Sequence, residues 1–440
     1  MIELADVSRS PAIDAHGRGN LAAAVDARGL TIHGWVFGSE RTATDVEVVL
    51  GDEILVRMPI GIEREDVVEE FGELPGAARS GFMLSLRPLR AGRSRLLVRV
   101  AFDEDEPVEL GTVEAIAEPE DGGGEDGPAW VYSHSPEGLG KVLVGRDGWL
   151  FLQGDSNDAI GQHTGRVRYS EADKEELRAL FERRVSVARE AGATWLTAVV
   201  PDKEILYSEQ LPASIVPLSR RPVHDYLEIA QEAGAEAVYL YEALAAAKDE
   251  GELYLRTDTH WNHRGAYVAY LAICRELGRL GIPLSVVEED WIEWWERPAL
   301  GDLGEKLAAS PGSADVRATL TRSWARRTYD SEIRNHGRVM IHEKDEEKTP
   351  VCLVFGESFA ETLLYFLKES FGRVVFAHTS MFIEEVVAAE RPDVVLSLPI
   401  ERFLIKVPDD EDALATLTAT AAGKGGELPW SVAEQRWPSA

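Results

Sequence analysis

Cysteine is nearly absent: 2 residues in 440. Cys274 sits in an apolar helical stretch and Cys352 in a strand-like run, so both read as small buried hydrophobes, with no spacing for a disulfide framework or a zinc site. Basic charge is also scarce, since 46 Lys and Arg face 77 Asp and Glu and leave a formal net charge of −31. Such a surface repels phosphate backbones and anionic headgroups, which argues against nucleic-acid binding. No window approaches the roughly 18 uninterrupted apolar residues of a membrane-spanning helix. The opening MIELADVSRSPAID has neither the basic nor the apolar region of an export signal, so a cytoplasmic protein is expected. No internal repeat suggests a solenoid.

What is present is enough apolar residue, 45% of the chain, to bury two cores, given domains of roughly 100 to 200 residues. Residues 18–117 alternate with the period of half-buried strands. Asp45–Leu50, a Gly51-Asp52 turn and Glu53–Met58 read as a hairpin. Further strands fit Leu30–Phe37, Gly81–Leu86, Arg95–Phe102 and Val108–Ile116, predicting a small all-β sandwich. Gly34-Trp35-Val36, Arg64-Glu65-Asp66-Val67 and Ser80-Gly81-Phe82 resemble a β module that accompanies some bacterial glycan-modifying enzymes and glycosyltransferases. Such a module either binds sugar or serves packing and oligomerisation. Residues 118–129, rich in glycine, proline and acid, have the composition of a flexible linker.

Residues 130–420 alternate helices with strands, the signature of an α/β domain whose parallel sheet is covered on both faces. Ser170 is a suitable N-cap for a helix to about Ala191. Strands are predicted at Thr194–Val200, Ala237–Leu240, Val351–Phe355, Arg373–Ala377 and Asp393–Leu398, about five in all. Helices are predicted at Pro222–Ala233, His263–Leu280, Phe359–Phe371 and Phe382–Glu390. Residues 421–440, small and polar, read as a frayed tail.

Two segments carry chemistry. In Val351-Cys-Leu-Val-Phe-Gly-Glu-Ser-Phe-Ala360, a strand, a sharp turn and a helix start place the Ser358 hydroxyl at the C-terminal edge of the sheet. The helix N-terminus there suits an oxyanion, although serine is also common as a plain N-cap. In Arg256-Thr-Asp-Thr-His-Trp-Asn-His263, Asp258 and His260 lie two apart on a segment expected to be extended, so both side chains point one way. The carboxylate can then orient an imidazole whose other nitrogen faces a nucleophile. Metal binding by Asp258, His260 and His263, or helix capping by Asp258 or Asn262, would use the same residues.

With these segments in view, the chain resembles the SGNH-hydrolase-like domain of bacterial alginate O-acetylation proteins and the related proteins named for a DHHW motif. Also similar are Gly145-Arg-Asp-Gly-Trp-Leu-Phe-Leu152, Val200-Pro-Asp-Lys203, Gly301-Asp-Leu-Gly304, Arg391-Pro-Asp393 and Glu401-Arg402, covering roughly residues 140–405. Asp-x-His ahead of Gly-x-Ser reverses the order of ordinary SGNH esterases. The resemblance implies a flavodoxin-like, SGNH-type three-layer sandwich, with Ser358 as nucleophile, His260 as general base and Asp258 as its orienter. Glu357 stands where many relatives have aspartate.

The resulting expectation is an O-acyltransferase, chiefly an O-acetyltransferase, acting on a carbohydrate hydroxyl through an acyl-serine intermediate. The net charge favours a neutral or zwitterionic acceptor. An esterase or deacetylase would use the same triad, and a non-catalytic glycan-binding scaffold would keep the fold without acyl transfer. No cofactor or metal is expected, though a donor such as acetyl-CoA can serve as co-substrate. Asn262, Arg338 and Asp302 are candidate substrate contacts. Arg317, Arg322, Arg326, Arg327, Arg334 and Arg338 form a basic cluster that either holds an anionic donor or sugar or pairs with the surplus acids. Trp291, Trp294 and Trp295 could stack on sugar rings, or the Trp294 and Trp295 pair packs against the second domain. Trp149, Leu150 and Phe151 read as core, and Asp202 and Lys203 as a strand-end turn.

Overall fold

The computed structural model describes residues 2–430 apart from 27–28, 40, 73, 75, 89–90, 103–105, 119–129, 135–141, 213–214, 307–311 and 346–348. All but the first residue of the expected linker 118–129 lies outside the described residues, as do residues 431–440 of the expected tail.

Two antiparallel sheets form the N-terminal β-rich region. One runs, in spatial order, Ile2–Arg9, Val108–Ala117, Gly92–Phe102, Ala43–Leu50 and Glu53–Pro59; the other runs Gly17–Asp26, Gly29–Gly38, Gly81–Pro88 and Trp130–His134. The hairpin turns at Gly51, whose φ of +63° a glycine adopts without strain. The module reaches beyond residues 18–117: Ile2–Arg9 pairs with Val108–Ala117, and Trp130–His134 with Gly81–Pro88. Those two pairings are long-range, and local alternation does not signal them.

The second region is α/β. Its elements begin with α1 (Glu171–Glu190), β1 (Thr194–Val199), α2 (Pro222–Glu232), β2 (Glu236–Tyr239) and α3 (His263–Arg279). They continue with β3 (Arg326–Asp330), β4 (Val339–Glu343), β5 (Val351–Gly356), α4 (Ser358–Leu367), β6 (Arg373–His378), α5 (Glu384–Glu390) and β7 (Val394–Leu398). The sheet order is β2-β1-β7-β5-β6-β4-β3. The expectation of about five parallel strands needs correcting, because the sheet has seven strands and is mixed. The five predicted strands form its parallel part, and β4 and β3 add an antiparallel edge on β6. The sequence Arg326-Arg-Thr-Tyr-Asp330 of β3 hides its strand character because an edge strand that stays half exposed needs no apolar alternation.

Alternation along each central strand divides the core in two. Cys352 and Val354 face α3 and α4, whereas Leu353 and Phe355 face α1, α2 and α5. Ser170 caps α1 with Asp173 in a reciprocal capping box, and Leu177, Phe181 and Val185 are its buried stripe. The chain after 420 does not fray where it is described, since the helix Ala413–Gly423 buries Leu417 and Ala421, and Leu428 is also buried. Among the described residues no helix is long and apolar enough to cross a membrane. Cys274 and Cys352 are buried free thiols, burial pushing the Cys274 thiol up to about 12.

Candidate active site

β5 ends at Gly356, Glu357 occupies the N-cap position, and Ser358 opens α4. The hydroxyl of Ser358 is not spent on capping. Its Oγ lies 2.7 Å from His260 Nε2, and the first N–H groups of any helix lack intrahelical acceptors and concentrate positive potential beside such a group.

Asp258 and His260 meet through a bend rather than an extended segment. Tyr254 bridges to Trp261, and the Leu255 N–H donates to the His260 carbonyl at 3.2 Å, closing the loop. Inside it, Asp258 Oδ1 accepts from the His260 N–H at 2.9 Å and lies 2.7 Å from His260 Nδ1. An aspartate that accepts from the backbone two residues on is a standard turn former, and here the same oxygen takes the ring as well. With a carboxylate at that side Nδ1 must donate, which leaves Nε2 to accept from Ser358. Burial pushes the Asp258 carboxyl up, but the hydrogen bonds from His260 and from the Asp302 N–H outweigh it and hold it well below the usual range.

Asp302 is drawn into this turn. Its N–H donates to Asp258 Oδ2 at 2.8 Å, and its carboxylate accepts from the Thr259 N–H at 2.7 Å and Thr259 Oγ1 at 2.6 Å. The preceding Gly301 has φ +75°, and a β-carbon there would sit 2.2 Å from the Thr257 carbonyl oxygen. Gly301→Ala is therefore expected to cost about 2 kcal/mol of stability and to lower kcat by displacing the Asp302 N–H. A melting curve with a parallel rate assay checks both, and an unchanged melt would refute the strain.

Beneath the turn lies Lys203, 1% exposed. Its Nζ donates to the carbonyls of Leu255 at 3.1 Å and Arg256 at 3.0 Å and to that of Asp258, over the rings of Trp149 and Phe151. Burial pushes its pKa down to about 8. Around it is a buried ionic network in which Arg402 donates to Asp202 at 2.6 Å, Arg221 donates to Glu401 at 2.8 Å, and His163 Nε2 lies 3.2 Å from Asp202. Burial pushes the His163 ring down, yet Asp202, with Glu401 and Glu204 beyond, raises it overall. The expected strand-end turn at Asp202-Lys203 is thus also the floor of the Asp258 loop. Sequence offered no signal for that role beyond the Val200-Pro-Asp-Lys203 resemblance.

The remaining candidates fall elsewhere. Asn262 is 1% exposed and caps α3: its Oδ1 accepts from the N–H groups of Arg264 and Gly265 at 2.9 and 3.0 Å, and its Nδ2 donates to the Glu252 carbonyl at 2.7 Å. Its amide oxygen and nitrogen both have backbone partners, so it serves as the cap of α3. Asp302 likewise braces the turn. Arg338 is held by Asp330 at 2.8 Å and Glu361 at 2.6 Å, which neutralises it. His263 turns away from Asp258 and His260: its Nδ1 accepts from the Ala318 N–H at 3.3 Å, and burial, then Arg317 and Arg297, lower its pKa to about 4. Of the arginine cluster, Arg317, Arg326 and Arg327 pair with Asp315, Asp345 and Asp330, and Arg322 lies over Trp291. Trp294 packs edge-on against Tyr267 of α3, within its own domain, and Trp295 is 46% exposed. Trp149, Leu150 and Phe151 are buried.

Glu357, beside the nucleophile, has an Oε2 that is buried without a hydrogen-bond partner. Burial pushes its carboxyl up to about 7, against the opposing pull of Arg402 and the Ile400 backbone. That value exceeds the unfolded one of 4.5, so the folded chain holds the proton more tightly and stability falls as pH rises between them. Glu357→Gln is therefore expected to stabilise the protein by up to about 3 kcal/mol at about pH 8.5 and far less near pH 5. Denaturant titrations at the two pH values measure this, and equal shifts would contradict it.

A family model described as "SGNH hydrolase-like domain, acetyltransferase AlgX" matches residues 142–381. The probable alginate O-acetylase AlgJ of Pseudomonas aeruginosa is 33% identical over 187 residues, 41% of this chain and 44% of that protein. The protein of the same description from Azotobacter vinelandii is 28% identical over 203 residues, 44% of this chain and 46% of that one. The chain thus spans less than half the length of these curated relatives. The O-acetyltransferase domain of Pseudomonas putida AlgJ aligns with 63% of this chain and 99% of that domain at 22% identity, with a TM-score of 0.43.

Proposed function

Because this chain belongs to the SGNH hydrolase-like family of the AlgX acetyltransferase, we propose that it transfers an acyl group, foremost acetyl, to a carbohydrate hydroxyl. The observation that carries this reading is the unbroken relay from Ser358 Oγ through His260 to Asp258, with both contacts at 2.7 Å. His260 Nε2 takes the Ser358 proton as Oγ attacks the acyl carbonyl. The oxyanion forms beside the N-terminus of α4, whose dipole stabilises it. The imidazolium, held by Asp258, protonates the leaving group. A sugar hydroxyl then gives its proton to His260 as it attacks the acyl-serine, and His260 passes that proton to the departing Ser358 Oγ, which restores both residues. The reaction draws on no cofactor, and the donor, an acetyl thioester such as acetyl-CoA or an acetyl ester, enters as co-substrate. Relatives named alginate O-acetylase support a polysaccharide acceptor, while a net charge of −31 favours a neutral or zwitterionic one.

The test supplies purified protein with para-nitrophenyl acetate and either a neutral or a uronate oligosaccharide, and weighs the sugars by mass spectrometry. Acetylated neutral sugar, lost in Ser358→Ala, is the expected result. Acetate release with no acetylated sugar would make the protein an esterase, and sugar binding without turnover would make it a scaffold.

A further inference from the structure

Between α3 and β3 the chain folds out a two-stranded antiparallel ribbon, Ile292–Ala299 against Ser313–Leu320. The connection at its tip carries Asp302, which braces the Asp258 turn, and at the same tip Ser313 Oγ lies 2.9 Å from Thr257 Oγ1. Farther along, the Ala318 N–H donates to His263 Nδ1 at 3.3 Å and the Leu320 N–H to the Tyr365 hydroxyl at 3.1 Å. Tyr365 follows Ser358 by about two helical turns on α4. The ribbon therefore runs along α4, from the catalytic turn towards the far end of that helix.

Side chains alternate along each strand, and residues paired across the ribbon share a face. Trp294 and its partner Ala318 lie on the inner face, Trp294 against Tyr267 of α3 and Ala318 buried. Trp295 lies on the other, paired with Arg317, and is 46% exposed. Its Nε1 donates to Thr319 Oγ1 at 3.1 Å, which fixes the indole, and among the described residues no ring or guanidinium stacks on it. Trp291, by contrast, is met edge-on by Trp324 and covered by Arg322. Beside Trp295 the register places Glu293 and Arg297, and across from them Thr319, Arg317 and Asp315, so the charges on this face are two of each sign. Both arginines are drawn to Asp315, at 2.9 and 3.5 Å. Such a face has no net charge with which to select a polyanion, but it offers an open aromatic ring flanked by groups that hydrogen-bond hydroxyls. From Trp295 to Ala299 at the tip is about 13 Å of strand, a gap that a few linked sugars span.

We propose that Trp295 forms a distal acceptor subsite, its indole stacking on one pyranose of a neutral β-1,4-linked chain while another unit of that chain meets Ser358. Equatorial substituents leave the faces of such a ring to C–H groups, which suit an indole face. The role as an acceptor subsite rests on the acyl-transfer reading; the binding itself does not.

The probe is cellohexaose, titrated by calorimetry into the Ser358→Ala protein so that binding is read without turnover. Saturable binding is expected, weakened roughly tenfold by Trp295→Ala and largely kept by Trp295→Phe, with native circular dichroism in both. With Ser358 intact, Trp295→Ala is expected to raise KM for cellohexaose by a similar factor, while kcat, the rate on cellobiose and the hydrolysis of para-nitrophenyl acetate stay unchanged. No saturable binding of cellohexaose, undiminished binding in the folded Trp295→Ala protein, or tighter binding of a uronate hexasaccharide than of cellohexaose would overturn the subsite. Binding that is lost with Trp295, in a protein that acetylates no sugar, would uphold the subsite and overturn the transferase reading alone.

Discussion

Asp258→Asn is expected to lower kcat about 1,000- to 10,000-fold while leaving the protein folded. The reason lies in what each oxygen of Asp258 does. Oδ1 serves the His260 N–H and ring Nδ1, and Oδ2 takes the Asp302 N–H. An asparagine has one oxygen for these two duties. If it keeps the oxygen toward His260, its NH₂ meets the Asp302 N–H, donor against donor. If it flips, the NH₂ faces Nδ1 and imposes the tautomer with hydrogen on Nε2, which can no longer take the Ser358 proton. Steady-state hydrolysis of para-nitrophenyl acetate with a melting curve separates the outcomes. A variant within about tenfold of wild type would show that Asp258 does not set the tautomer.

The second large effect is expected on stability. Lys203→Met keeps the apolar stem over Trp149 and Phe151 but takes the ammonium from the carbonyls of Leu255, Arg256 and Asp258; the first two keep the N–H groups of Asp258 at 3.4 Å and Leu150 at 2.8 Å, whereas that of Asp258 loses its donor. The one carbonyl so orphaned costs about 1–3 kcal/mol. Part is returned because the variant no longer buries a charge, a burden visible in a lysine pushed down to about 8. A net loss of about 1–3 kcal/mol is expected by denaturant titration, with a lower kcat in the remaining folded protein because the Asp258 turn loses its floor. A wild-type midpoint and rate would mean that the turn holds without the ammonium.

Much of the site was legible because its chemistry is written in residue types at short spacing. Gly356-Glu357-Ser358 and Asp258-Thr259-His260 each fall within one local bend, so sequence distance and spatial distance agree there. The segment reads as extended where the structure has a bend, since nothing in the local pattern marks the long-range bonds from Lys203 and Asp302 that brace it. For the same reason the sequence does not separate a cap or a brace from a substrate contact at Asn262 and Asp302: a polar side chain near a catalytic motif reads alike whether it faces a ligand or its own backbone.

The sequence by itself determined the two architectures, the five parallel strands and the three residues of the relay, because periodicity, turn chemistry and motif order are local properties. Tertiary structure alone decided the antiparallel edge of the sheet, the strands lent to the β-rich region from Ile2–Arg9 and Trp130–His134, and the pairing of most of the arginine cluster with acids. It also decided that Lys203 and Asp302 hold the turn and that one oxygen of Glu357 is buried without a partner. These depend on which distant backbone or charge comes to lie beside each group. Burial and hydrogen-bond partnership are properties of the packed whole, and no run of residues carries them.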